Sequence, residues 1–178
     1  KLEKRKEQGD PNVKKIEMND CDSLDFSASE NQDRIIWTPS LAGCFAIAII
    51  VEYEDGSGTI SLSHYQPMEI DKHLKRIGKQ TSQTPEKKIK TKKALIMVVE
   101  EHEKDPKSLK WKRTIKKEKL LAVLDAIKST VGNDTQILVE PYLSSAYVGR
   151  ERDHSLVVKR TPTENILYQT WYDDEKSL

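Results

Sequence analysis

The segment from Cys44 to Tyr53, CFAIAIIVEY, leaves fewer options than any other part of the chain. β-Branched and aromatic side chains occupy both faces of this run, so as a strand it has to be covered on both sides. EDGSG follows, whose Asp-Gly step and second glycine accept positive φ, the chemistry of a hairpin turn. TISLSHY then alternates apolar and polar with period two, as a returning, half-buried strand does. Pro67 ends that strand.

The flanking segments predict a single α+β domain. MEIDKHLKRIG, residues 68–78, carries Met68, Ile70, Leu74 and Ile77 near helical spacing, with Gly78 as its stop. ALIMVVEEH reads as a buried strand. TIKKEKLLAVLDAIKSTVG is the clearest helix: Thr114 and Glu118 stand near capping-box distance, Gly132 ends it, and Ile115, Leu120, Leu121, Leu124 and Ile127 form the expected apolar face. TQILVEPYL is a strand, and HSLVVKR, TPTEN and ILYQTWY predict a C-terminal hairpin. The expected architecture is a layered sandwich of mainly antiparallel or mixed sheet with flanking helices. Residues 1–17 are expected as a charged tail and 18–178 as the domain, with the acidic 18–33 stretch as turns.

Composition narrows the classes of function. The 178 residues are 36% hydrophobic and 33% charged, and 30 basic side chains balance 29 acidic ones to a net charge of +1. Such a balance supplies no whole-protein field for nucleic acid. The two cysteines, Cys21 and Cys44, form no disulfide framework and no zinc spacing. A single bridge between them stays open at this stage. No run approaches the length of a membrane span, and KLEKRKEQGDP has no apolar core behind it. The expectation is a cytoplasmic protein, or a secreted or translocated effector where a leader has been trimmed, with no membrane partner.

Chemistry concentrates in the hairpin. Cys44 opens the apolar strand and His64 closes the returning one, so equal strand lengths about the turn place both near the same open end. There an imidazole can draw the proton from a thiol and leave the thiolate nucleophile. Gly43 permits a substrate to approach the backbone, and the Leu41-Ala42-Gly43 loop can present N–H groups to an oxyanion. The alternative stands beside it: a lone cysteine opening an apolar strand is commonly core.

T-P-S-L-A-G-C-F-A-I-A-I with G-T-I-S-L-S-H-Y-Q-P resembles the active-site hairpin of the chemoreceptor glutamine deamidase CheD family. L-A-G-C is also similar to the Leu-Ser-Gly-Cys motif of cytotoxic necrotizing factor and related deamidase toxins, with Ala42 in place of the serine. The resemblance covers about thirty residues. It implies Cys44 as nucleophile, His64 as base and Thr38 as the hydroxyl that orients the histidine. It also implies hydrolysis of a glutamine side-chain amide in a target protein, with no metal or organic cofactor, and leaves transglutamination open as a side activity. The longer turn, SHYQP after the histidine and the lack of a later glycine-rich segment imply a divergent member, a toxin or effector rather than a chemotaxis protein.

Other candidates carry less. His73 falls among helix lysines, and His102 and His154 sit among charges without paired ligand spacing. Cys21 is expected as an exposed thiol whose neighbouring carboxylates work against reactivity. There is no phosphate-cradling glycine loop. Two further classes of function remain: an inactive protein-binding module of the same fold, and a nucleic-acid-binding domain using Trp111 and the lysines between Lys104 and Lys119. The partner expected first is a protein carrying a reactive glutamine, not nucleic acid.

Overall fold

A computed structural model of the chain describes residues 2–66, 72, 75–76, 86–115, 117–143, 154–163, 166–170 and 176–178. The path begins with α1 (Leu2–Glu7), β1 (Val13–Lys15), β2 (Asp20–Phe26), β3 (Arg34–Leu41), β4 (Phe45–Tyr53) and β5 (Gly58–Tyr65). It continues through β6 (Ile89–Lys104), β7 (Trp111–Thr114), α2 (Lys117–Val131), β8 (Gln136–Leu143), β9 (His154–Arg160), β10 (Ile166–Thr170) and β11 (Lys176–Ser177). The strands form two sheets. One runs β1-β3-β9-β10-β11, and the other β2-β5-β4-β6, with β8 beside β6 and β7 pairing the far end of β6. Both are mixed: β1 pairs parallel to β3 and β8 parallel to β6, and the remaining pairs are antiparallel.

The apolar run of β4 explains the layering. Its even positions Ala46, Ala48 and Ile50 face the first sheet, where they meet Ile36, Leu41, Leu156, Val158, Ile166 and Tyr168. Its odd positions Phe45, Ile47, Ile49 and Val51 face the other way, onto Val123 and Ile127 of α2. The outer face of the first sheet gathers Val13, Ile35 and Trp37 with Leu2 of α1 against them. The result is an α+β sandwich with sheet against sheet in the middle and a helix on each outer face, among the described residues.

Several details depart from the pattern read in the sequence. The acidic stretch 18–33 contains a strand, β2, because Leu24 and Phe26 reach the inter-sheet core between carboxylates that stay outside. The segment expected as a tail supplies β1 and Ile16, which is buried to 1% exposure. Along α2 the buried positions are Val123 and Ile127, an i, i+4 pair, while Leu121 is exposed. Thr114 belongs to β7 and its hydroxyl donates to the Ile115 carbonyl, so it is not the helix cap. Gly132 does end the helix, with φ 127 and its N–H on the Lys128 carbonyl. The β9–β10 hairpin forms with Ile166 opposite Arg160. The helix expected over 68–78, with His73, lies almost wholly outside the described residues.

The turn between β4 and β5 is tighter than the spacing of EDGSG implies. Gly56 takes φ 77, Asp55 accepts the Ser57 N–H at 2.9 Å, and Gly58 already belongs to β5, opposite both Glu52 and Phe26. A Cβ on Gly58 would stand 2.3 Å from the Phe26 ring and 2.4 Å from the Val51 carbonyl oxygen. The same ring has the Arg160 guanidinium 5.2 Å from its centroid, so it has little room to retreat. Gly58→Ala is therefore expected to cost about 1–3 kcal/mol in denaturant unfolding, the range of an overpacked core.

Candidate active site

A buried hydrogen-bonded group crosses the inter-sheet layer. Thr38, on the inner face of β3, and His64, on the inner face of β5, lie 2.7 Å apart from Oγ1 to Nδ1. The Thr38 hydroxyl also donates to the Ile16 carbonyl at 2.8 Å. A hydroxyl has one proton, and a carbonyl can only accept. With that proton committed to Ile16, Thr38 must accept from His64, so Nδ1 carries a proton, and in the neutral ring the lone pair is on Nε2. The tautomer follows from the acceptor chemistry rather than from an observed hydrogen. Thr38 is 0% exposed and His64 2%.

Cys44 immediately precedes β4 and packs in the same inter-sheet core as Ala46 and Leu62. The ladder sets Ala46 opposite His64 and Phe45 opposite Tyr65. Cys44 therefore stands on the same face as His64, but on the diagonal rather than directly across from it. The hairpin centres on Asp55, whereas direct opposition of Cys44 and His64 would need it to centre one residue earlier, on Glu54. Diagonal neighbours are about 7–8 Å apart in backbone spacing, a gap that a long or aromatic side chain can reach across.

Two residues that the sequence did not single out complete this end of the sandwich. Tyr142, buried near the end of β8, donates its hydroxyl to the Cys44 carbonyl. It thereby anchors the backbone that carries the thiol. Its ring lies 4.9 Å from that of His154 at the start of β9. His154 in turn pairs with Leu41, so the second histidine flanks the loop leading to Cys44. The hydroxyl of Tyr168 donates to Glu140 nearby on β8. A tyrosine in a strand carries no signal that separates an anchor from core, which is why Tyr142 escapes a reading by pattern.

The approach to Cys44 holds a backbone outlier. Ser40 has φ 59, and the β3–β9 register shifts between Thr38 and Leu41. Such a conformation is uncommon for a residue with a Cβ and marks a locally constrained turn. Within that turn the Ala42 N–H donates to the Ser40 carbonyl at 2.9 Å. Of the three residues expected to serve an oxyanion, Ala42 thus has its N–H engaged inside the loop, and Leu41 sits in the ladder. Gly43 makes a backbone hydrogen bond to the Cys44 thiol.

Neither cysteine forms a disulfide, and both are buried. Burial pushes the Cys44 thiol up, against a smaller pull downward from Gly43. Cys21, expected as an exposed thiol, sits in β2 opposite Ser63 on the other face of the second sheet. Burial is the main cause that raises it to about 11, with the neighbouring Asp20 and Asp22 adding to the effect and Arg76 opposing it. The structure thus brings Thr38, from one sheet, and Cys44 and His64, from the other, into the same inter-sheet layer and leaves Cys21 outside the group. His102 lies on β6 opposite Arg113, in the stretch of β6 beyond its pairing with β4.

No protein-family model matches the chain, and neither does any curated protein. Among solved structures, the chain is similar to the C-terminal domain of CNFy from Yersinia pseudotuberculosis. The sequence identity is 9% and the TM-score 0.39, over 94% of this chain and 63% of that one. This is a loose likeness at the level of the fold, and the chain spans less than two thirds of the length of that structure.

Proposed function

We propose that the protein is a cysteine-dependent glutamine deamidase acting on a side-chain amide in a target protein. The observation that carries the proposal is the Thr38–His64 hydrogen bond with the threonine proton committed to Ile16. It holds the neutral imidazole in the tautomer whose Nε2 can take a proton, on the face of the sheet that also carries Cys44. The resemblance of the hairpin sequence to the glutamine deamidases supports the choice of substrate.

The raised thiol sets the order of events. Cys44 rests as the protonated thiol, so no standing thiolate–imidazolium pair precedes the substrate. His64 removes the proton as the sulfur attacks the carboxamide carbon, forming the C–S bond. The tetrahedral intermediate collapses with cleavage of the C–N bond, and His64 returns the proton to the departing ammonia. Water, deprotonated by the same histidine, then attacks the thioester. The C–S bond breaks, glutamate is released and the thiol regains its proton. An amine in place of water gives transglutamination through the same thioester.

A second reading keeps the fold without the activity, as a protein-binding module. It is favoured by the burial of all three side chains, since a buried Thr–His pair also serves as a structural tie between sheets. Incubating the full chain with a mixture of soluble cellular proteins and mapping glutamine-to-glutamate conversion by peptide mass spectrometry separates the two. Conversion that disappears in Cys44→Ala supports the enzyme; its absence with the unsubstituted chain supports the module. His64→Ala is expected to slow conversion roughly a hundred- to ten-thousand-fold.

Two further outcomes follow from the geometry. Thr38→Val leaves the Nδ1 proton and the Ile16 carbonyl without this hydroxyl, so stability falls by about 1–3 kcal/mol and kcat falls with it. Thr38→Ser restores both, measured by denaturant unfolding and by conversion rate. Native-state alkylation with iodoacetamide is expected to be slow at neutral pH at both cysteines and to accelerate with rising pH at Cys44 before Cys21, read by mass spectrometry.

A further inference from the structure

β6 is longer than the sheet needs. Its last four residues, Glu101 to Lys104, leave the shared ladder and pair only with β7, forming a two-stranded ribbon. The stretch Lys104–Lys119 holds eight basic and two acidic side chains, a formal net of +6 in a chain whose total is +1. The remainder therefore carries −5, and the even balance of the whole chain hides a strongly basic arm. The register sorts the charges along the ribbon. Glu103 stands opposite Lys112, while Lys104 stands opposite Trp111 and His102 opposite Arg113. The two opposed pairs His102–Arg113 and Lys104–Trp111 thus contain no acidic residue.

The tip of the ribbon is held rigidly by its own backbone. Asp105 accepts the Lys107 N–H at 2.8 Å and the Ser108 N–H at 3.3 Å on its carboxylate, and the Leu109 N–H at 2.9 Å on its carbonyl. Its own N–H donates to the Lys110 carbonyl at 2.9 Å. This turn puts Leu109 at φ 57, where a branched side chain is disfavoured, and leaves it 66% exposed, more than any other large apolar residue among the described ones. Lys104, Lys107 and Lys110 around it are exposed as well. A leucine there adds nothing to the core and fits its backbone poorly, so folding does not account for it.

We propose that this ribbon docks the protein on an anionic lipid surface, with the lysines meeting the headgroups and Leu109 entering the acyl boundary. Cations around an exposed apolar tip, with a tryptophan in the adjoining strand, are the chemistry of interfacial membrane contact. Phosphate binding by nucleic acid would use the same lysines but gives no role to the leucine. Among the described residues no helix is long and apolar enough to cross a membrane, and a peripheral contact of this kind needs none. The surface is independent of the chemistry at Cys44.

The test is co-sedimentation of the full chain with phosphatidylcholine vesicles, with and without about one quarter phosphatidylserine. Binding is expected only to the anionic vesicles and to weaken as salt rises. Lys107→Gln with Lys110→Gln should weaken it about 25-fold, from about fivefold per lysine near the surface. Leu109→Gly, which suits the backbone and keeps the charge, should weaken it about tenfold. Cys44→Ser should bind as the unsubstituted chain does. Absence of binding to the anionic vesicles overturns the proposal, as does equal binding by Leu109→Gly. Retardation of a generic RNA that the double lysine variant loses, without vesicle binding, would assign the ribbon to nucleic acid instead.

Discussion

The hydrogen bond between Thr38 and His64, both buried, joins two sheets that meet mainly through apolar side chains. An imidazole N–H left unpaired in such a layer costs about 1–3 kcal/mol. The Thr38 hydroxyl therefore does two things at once. It accepts from His64 across the layer, and it passes its own proton to the Ile16 carbonyl, which ties the segment before β2 to the end of β3. β1 and Ile16 thus belong to the same arrangement that fixes the imidazole. The first sheet positions a histidine carried by the second.

The electrostatics of the thiol follow from that setting. A cysteine at the edge of an apolar layer has its charged form penalised by burial, and the Gly43 backbone offsets only part of that penalty. An apolar layer tolerates neutral groups best, because neither a neutral thiol nor a neutral imidazole needs a counter-ion. In the proposed reaction, charge would appear only as the sulfur attacks the substrate amide. Tyr142 contributes by holding the Cys44 carbonyl, which fixes the backbone that carries the thiol.

Much of this was legible in the chain. CFAIAIIVEY proved to be the central strand covered on both faces, and TISLSHY its partner, because apolar periodicity reports burial directly. The α2 helix was visible with most of its packed face: Ile127 is buried, with Ile115 and Leu124 packed against the same core. Val123 joins that face and Leu121 stays outside, a choice that only packing on the sheet makes. β2 was hidden because its carboxylates and serines look like turn residues until Leu24 and Phe26 are seen to alternate toward the core. Thr38, Cys44 and His64 could be named from motif and spacing. Their exact pairing could not, since a hairpin centred on Glu54 would oppose Cys44 to His64 and one centred on Asp55 opposes Ala46 to it, a one-residue difference that the apolar pattern around the turn does not fix.

The relation between Cys44 and His64 is nevertheless more robust than a diagonal offset suggests. Side chains alternate with period two, so moving the β4–β5 register by two residues keeps both on the same face, while moving it by one separates them. A one-residue slip is blocked by the core itself. It would carry Ile60 and Leu62, both fully buried, from the inter-sheet layer to the opposite face, and it would set His64 against Phe45 or Ile47 instead of Ala46. Alanine at that position matters too, because its small side chain leaves room inside the layer for the imidazole opposite. The hydrophobic pattern that makes β4 and β5 a buried hairpin is thus the same constraint that keeps a thiol and a histidine on one face. Their proximity is enforced by apolar residues that take no part in the chemistry.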